Sequence, residues 1–341
     1  MMSIALLLGG AGLLQLSLYV SNVEATMFET AWEDLSASIT EHSKKKIRAS
    51  NPFAGEKLYV SLDTDASRTA SAWGKTRPKD AEDMQKIASA PVTVWFGDWN
   101  GKVIDREVRE TVKAIRKDGA LPVLVAYNIP NRDCGLYSAG GAEDASAYLT
   151  WMRSLAKGIG RHSAVVILEP DALSEGECVN AEVAKQNREL LGKSVEILKS
   201  KPRISVYIDA GNAKWVSVND MAERLKSVDI AQADGFALNI SNFLKDDVNI
   251  AYGEKLSALV GNKHFIIDTS RNGRGAALGF EWCNPTGRAL GRFPTTKTDH
   301  PLVDAYLWVK QPGESDGECN GGPPAGVWWA EYALGLAQRA R

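Results

Sequence analysis

Three acidic segments hold the residues of this chain best suited to chemistry. They are Tyr127-Asn128-Ile129-Pro130-Asn131-Arg132-Asp133-Cys134, Ile167-Leu168-Glu169-Pro170-Asp171 and Lys310-Gln311-Pro312-Gly313-Glu314-Ser315-Asp316. Each follows or closes a short apolar run, which places carboxylates at the end of a buried strand, where parallel α/β folds build active sites. Several carboxylates converging there suit acid/base chemistry on a neutral, unactivated substrate. Asp171 follows Val165-Val166-Ile167-Leu168 and stands behind Pro170, which stiffens the turn. A carboxyl group shielded in that way can hold its proton near neutral pH, and Asp133 at a similar exit would add like-charge repulsion. Asp209 and Asp268 also close apolar runs. On position alone, each of these has an equal claim to capping a helix or pairing with an arginine. Their number and shared placement carry the argument.

The elements that must position them are short β-rich runs: Leu58–Asp63, Val92–Asp98, Pro122–Asn128, Ala164–Asp171, Ile204–Asp209, Gly235–Asn239, His264–Asp268 and Ala305–Lys310. Most are continuously apolar, as strands buried on both faces are. Helical stripes lie between several of them. Val103, Ile104, Val108, Val112 and Ile115 precede Gly119, a C′ glycine by position. Tyr148, Leu149, Met152, Leu155 and Ile159 form a second stripe, and Val183, Leu190, Leu191, Val195 and Leu198 a third. About eight strands alternating with helices predict a parallel barrel. A doubly wound open sheet is the runner-up, without a G-x-G-x-x-G after the early strands.

Composition narrows the chemistry further. A net charge of −2 gives no electrostatic reason to expect nucleic acid or an anionic membrane as partner. Ten tryptophans are a high count; most belong to the core, and a surplus suits stacking against the apolar face of a sugar ring. The four histidines form no H-E-x-x-H, no G-x-S-x-G elbow exists, and Gly74-Lys75-Thr76 lacks the upstream glycine of a phosphate loop. Asn239-Ile240-Ser241 has the form of a glycosylation sequon but ends a predicted strand. Four widely spaced cysteines, Cys134, Cys178, Cys283 and Cys319, fit two disulfides in an oxidising compartment, with three pairings open. Ile4 to Val20 is largely apolar and precedes Val23-Glu24-Ala25, so residues 1–25 read as a signal peptide despite the lack of an early Lys or Arg. Residues 26–50 read as a polar leader and 51–341 as one catalytic domain.

Long strings then resemble a known family. Residues 127–134, Tyr137-Ser138-Ala139-Gly140-Gly141, Ile167 to Leu173, Ile208-Asp209-Ala210-Gly211, Ile266 to Gly273, Trp282 to Arg288 and Trp308 to Gly317 are similar to glycoside hydrolase family 6, the inverting cellulases. The likeness runs in order from about Asn51 to about Leu336 and leaves residues 1–50 outside.

The resemblance implies a distorted, incomplete parallel β/α barrel with a cleft at the C-terminal ends of its strands. It implies Asp171 as general acid, Asp133 as the carboxylate that raises the acid's pKa and relays a proton, Asp316 in the disputed position of base, and Tyr127 beside the reacting sugar. Sugar contacts are implied for Trp95, Asp209, Trp215, Asn239, Trp282, Lys310 and Glu314, with Trp99 near an aromatic subsite. It pairs Cys134 with Cys178 and Cys283 with Cys319, and requires no metal or organic cofactor. An inverting site leaves room for a water, with working carboxylates roughly 6.5–9.5 Å apart.

Two departures from the family pattern stand out: Asn212 where a histidine is usual, and Ala139 where many members hold the water with a serine, leaving Ser138 or a backbone carbonyl for that task. Only Gly317 and Glu318 separate Asp316 from Cys319, too little chain to roof the cleft. The expectation is a secreted, monomeric endo-β-1,4-glucanase with no stable membrane association. The alternatives are a cellobiohydrolase of the same family and a non-catalytic glucan-binding relative.

Overall fold

Uninterrupted apolar runs such as Ala164–Leu168 become strands covered on both faces. In that strand Val165 and Ile167 point to one side and Ala164, Val166 and Leu168 to the other, and all five are buried. The structure, a computed structural model, describes residues 51–174 and 180–340. The expected signal and leader segments and Cys178 lie outside those residues.

The strands are β1 (Lys57–Leu58), β2 (Val94–Phe96), β3 (Ala120–Leu121), β4 (Val123–Ala126), β5 (Ala164–Leu168), β6 (Ile204–Asp209), β7 (Gly235–Leu238), β8 (His264–Asp268) and β9 (Val303–Leu307). Seven of them form one parallel sheet in the order β2-β4-β5-β6-β7-β8-β9. The helices are α1 (Asp65–Trp73), α2 (Pro78–Ala88), α3 (Ile104–Lys117), α4 (Ala145–Ile159), α5 (Ala181–Lys199), α6 (Val218–Ser227), α7 (Asp246–Leu259) and α8 (Ala330–Arg339).

The sheet curls around an inner core of Phe53, Val125, Tyr127, Ile167, Tyr207, Ile266 and Leu307. Its outer face packs on the predicted stripes: Val108 and Val112 from α3, Met152 and Leu155 from α4, Leu191 and Val195 from α5. Burial of such side chains, at about 25 cal/mol per Å², is the main force holding helices to sheet. Local signals set the helix ends. Asp144 accepts from the Ala147 N–H at 2.8 Å, Asn180 from Val183 at 2.9 Å and Ser217 from Asp220 at 3.2 Å. Gly119, at φ 71°, turns the chain after α3.

The eight-strand reading is corrected to seven. The run at Leu58–Asp63 does not join the sheet; Lys57 and Leu58 pair with β3 in a separate two-stranded ladder. Its polar end is drawn into the start of α1, where Thr64 and Ser67 form a capping box. The barrel is therefore unclosed. Between edge strands β2 and β9 side chains span the seam: the Thr93 hydroxyl and the Trp95 indole N–H each donate to the Val309 carbonyl at 2.8 Å.

Candidate active site

At the C-terminal ends of the strands, three buried carboxylates tie neighbouring chain exits together. Glu169, after β5, accepts from the Asn128 and Ile129 N–H groups after β4, at 2.9 and 3.0 Å. Asp209, closing β6, accepts from the N–H of Asp171 at 2.9 Å and of Gly211 at 3.1 Å. Asp268, closing β8, accepts from Ser241 after β7 and Lys310 after β9, both at 3.0 Å. Each N–H emerges where the parallel ladder stops, and the carboxylate supplies the acceptor the next strand no longer offers. Burial pushes Glu169 and Asp209 up to about 7, against the pull of these N–H groups, and raises Asp268 as well.

Above this floor lies a cleft of about 1160 Å³ lined by Trp95, Trp99, Tyr127, Asp133, Asp171, Trp215, Trp282, Lys310, Glu314 and Asp316. Three scattered acidic segments thus meet in one groove, which straddles the β2/β9 seam through Thr93, Trp95, Lys310 and Gln311. Asp209 and Asn239 do not line it. Asn239 is fully buried, its amide donating to the carbonyls of Asp268 at 2.8 Å and Leu244 at 3.2 Å. The structure places both residues beneath the cleft, where they shape the loops that reach it.

The catalytic candidates sit on strained backbone. Asp133 has φ 56° and Asp171 φ 75°, in the left-handed region that non-glycine residues rarely adopt. Asp171 is held there through its N–H to Asp209 and through its carbonyl, which accepts from the Ser174 N–H at 2.7 Å. Asp133 accepts from the Ser138 N–H, and burial raises its carboxyl against that bond and the nearby Arg132 charge.

Asp316 is differently placed. Its Oδ2 takes hydrogen bonds from Arg271 at 2.8 Å and the Asn284 N–H at 3.0 Å, and its Oδ1 lies 3.8 Å from the Lys310 ammonium. Arg271 is itself fully buried and also donates to the Ser241 carbonyl. Burial raises Glu314, with Lys310 at 3.9 Å opposing the shift.

Arg271 and Arg132 lie within the family-like strings, and the sequence alone assigns neither a role. Arg132 donates to the Tyr127 carbonyl at 2.7 Å, to Asp98 at 3.0 Å and to the Ser138 carbonyl at 2.9 Å, and its guanidinium lies over the Tyr127 ring. Arg271 stands between buried Ser270 and Asn272, a position that demands fixed acceptors, whereas Arg132 stands between exposed Asn131 and half-buried Asp133 and offers no such signal.

Aromatic side chains furnish the walls. Trp95 meets Tyr127 edge to face with centroids 5.3 Å apart, and Trp99, Trp215 and Trp282 are exposed within the groove. Tyr137 reaches from the loop after β4 to Trp282, at 6.2 Å between centroids. It also packs on Gly317, where a Cβ would fall 2.2 Å from the Tyr137 ring. The Cys283–Cys319 disulfide joins the two loops beside Asp316. Cys134 is disulfide-bonded too, while the expected partner Cys178 lies outside the described residues. Among the described residues, no group of three or more His, Cys, Asp or Glu side chains is arranged to hold a metal ion.

This fold and cleft have counterparts. Residues 53–340 match the family described as Glycosyl hydrolases family 6. Endoglucanase A of Cellulomonas fimi is 44% identical over 83% of the chain and 61% of its own length; Endoglucanase 1 of Streptomyces halstedii is 42% identical over 81% and 87%. The endoglucanase Cel6 of Mycobacterium tuberculosis, solved with a methyl-cellobiosyl-4-deoxy-4-thio-β-D-cellobioside, superposes with a TM-score of 0.80 at 39% identity, covering 85% of this chain and 99% of that one. The chain spans 61% of the length of the first two relatives, the second being Endoglucanase A of Thermobispora bispora. The unclosed parallel sheet with acids at its strand ends defines an incomplete α/β-barrel class. The chain belongs to glycosyl hydrolase family 6.

Proposed function

We propose that this chain is an inverting endo-β-1,4-glucanase acting on cellulose or related soluble β-glucans. The observation that carries the reading is the meeting of Asp133, Asp171 and Asp316 in one aromatic-lined groove. Asp171 protonates the glycosidic oxygen as the bond to C1 breaks, while water attacks C1 from the opposite face. Asp316 has Oδ2 committed to Arg271 and Asn284, so only Oδ1, beside Lys310, is left to face water. That arrangement suits holding charge and water more than taking a proton. Asp133, raised by burial, takes the relay role, with Ser138 adjacent. The tryptophans hold the flanking sugars.

The Cys283–Cys319 disulfide leaves little chain after Asp316 and supports internal cleavage. Export of the protein as a monomer, with residues 1–25 removed and 51–341 as the catalytic unit, is part of the same proposal; the disulfides support the export. Tyr137 packing on Gly317 favours a second reading, an exo-acting cellobiohydrolase, because it bridges two loops at the groove.

A product time course on carboxymethylcellulose tests all three points. The expected result is a fast viscosity drop with reducing-sugar release, lost in Asp171→Ala, and an α-anomer formed first by proton NMR. Full activity in Asp171→Ala removes the acid assignment, cellobiose release without viscosity loss favours the exo reading, and a first-formed β-anomer ends inversion.

A further inference from the structure

Phe280 is a large aromatic side chain that the reaction above leaves without a task. It ends the short 3-10 turn Leu278–Phe280 in the loop between β8 and β9, lines the cleft, and remains 56% exposed. Its backbone has φ 57°, where a bulky residue is a genuine outlier. Strain of this kind persists where surrounding structure enforces it and gathers at ligand sites. Across from it, on the loop after β6, Lys214 places its ammonium 5.6 Å from the ring centre, next to Trp215 in sequence. Lys214 also lines the cleft. Two loops from different strands therefore present one apolar ring and one set of hydrogen-bond donors to the same groove. Its neighbour Leu278 is fully exposed and outside the cleft, so exposure at this turn alone does not place a side chain in the groove.

We infer that Phe280, with Lys214 set against it, is a sugar platform additional to Trp215 and Trp282, taking a glucosyl unit remote from the bond that is cut. The inference rests on the β-glucan reading above. A β-linked glucosyl ring offers a flat C–H face to the phenyl ring and hydroxyl acceptors to the ammonium. The acids reach the groove on the loops after β4, β5 and β9, whereas this pair comes from the loops after β6 and β8, so the platform adds binding without touching the reacting atoms.

The test compares kcat/KM on cellotriose through cellohexaose for wild type, Phe280→Ala, Phe280→Trp and Leu278→Ala. Phe280→Ala should lose about fivefold to tenfold on cellohexaose, mainly through KM, and less than about twofold on cellotriose. Phe280→Trp should restore the loss, and Leu278→Ala should match wild type. A Phe280→Ala defect equal at every length, or absent at every length, overturns the inference while leaving the glucanase reading intact. Wild type inactive on every oligosaccharide refutes that reading and this inference together.

Discussion

Replacing Asp209 by alanine asks whether the buried carboxylate beneath Asp171 positions the proposed acid or binds sugar. Its Oδ2 is the acceptor for the N–H of Asp171 and of Gly211, and the carboxylate itself has almost no access to water. Alanine orphans two donors, each costing about 1–3 kcal/mol, while it relieves the burial of a carboxylate. The net expectation is a loss of about 2–4 kcal/mol, or roughly 3–7 °C in melting temperature for a domain of this size. Asp171 also loses the bond that holds its φ of 75°. A displacement near 1 Å at a catalytic group lowers turnover by about 100-fold. Asparagine keeps an oxygen that can accept both N–H groups, so Asp209→Asn should recover most stability and much of kcat. Thermal melts and steady-state kinetics on carboxymethylcellulose read both quantities. A rise in KM with unchanged kcat in Asp209→Ala, not recovered by asparagine, would refute the positioning role and return Asp209 to the sugar.

Two further expectations follow from the same floor and its loops. Glu169 is pushed up to about 7 in the folded chain from an ordinary 4.5, so the native state binds more protons between those values and stability falls as pH rises through that window, by roughly 3 kcal/mol. Glu169→Gln should flatten the difference between unfolding free energies measured at pH 4.5 and 8 by that amount; an unchanged slope refutes the assignment. Replacing Cys283 and Cys319 by serine opens a loop with a sequence separation of 36 and should lower stability by about 4 kcal/mol in the chain-entropy model, checked by denaturant titration without reductant.

Much of the fold was legible because burial on two faces writes itself into sequence as unbroken apolar runs, and α3, α4 and α5 as regular stripes. The first run misled because Leu58 and Tyr59 look like a strand start, whereas the Thr64 cap that ends the run acts only once α1 has formed. The site was legible as a set of acids and not as a division of labour. Asp171 and Asp209 both close apolar runs, yet one lines the groove and the other does not, since Asp209 is the last residue of β6 whereas Asp171 stands three residues beyond β5. Arg271 was invisible as a partner of Asp316 because 45 residues separate them and only the parallel pairing of β8 with β9 brings them together.

The unpaired seam between β2 and β9 has one more effect. A ring of strands sealed all the way round surrounds its mouth with loops and makes a round well, suited to compact ligands. Here the sheet is broken between β2 and β9, and the groove straddles that break, which the Thr93 and Trp95 side chains span. On the glucanase reading proposed above, a groove set over that break would receive a sugar chain along its length.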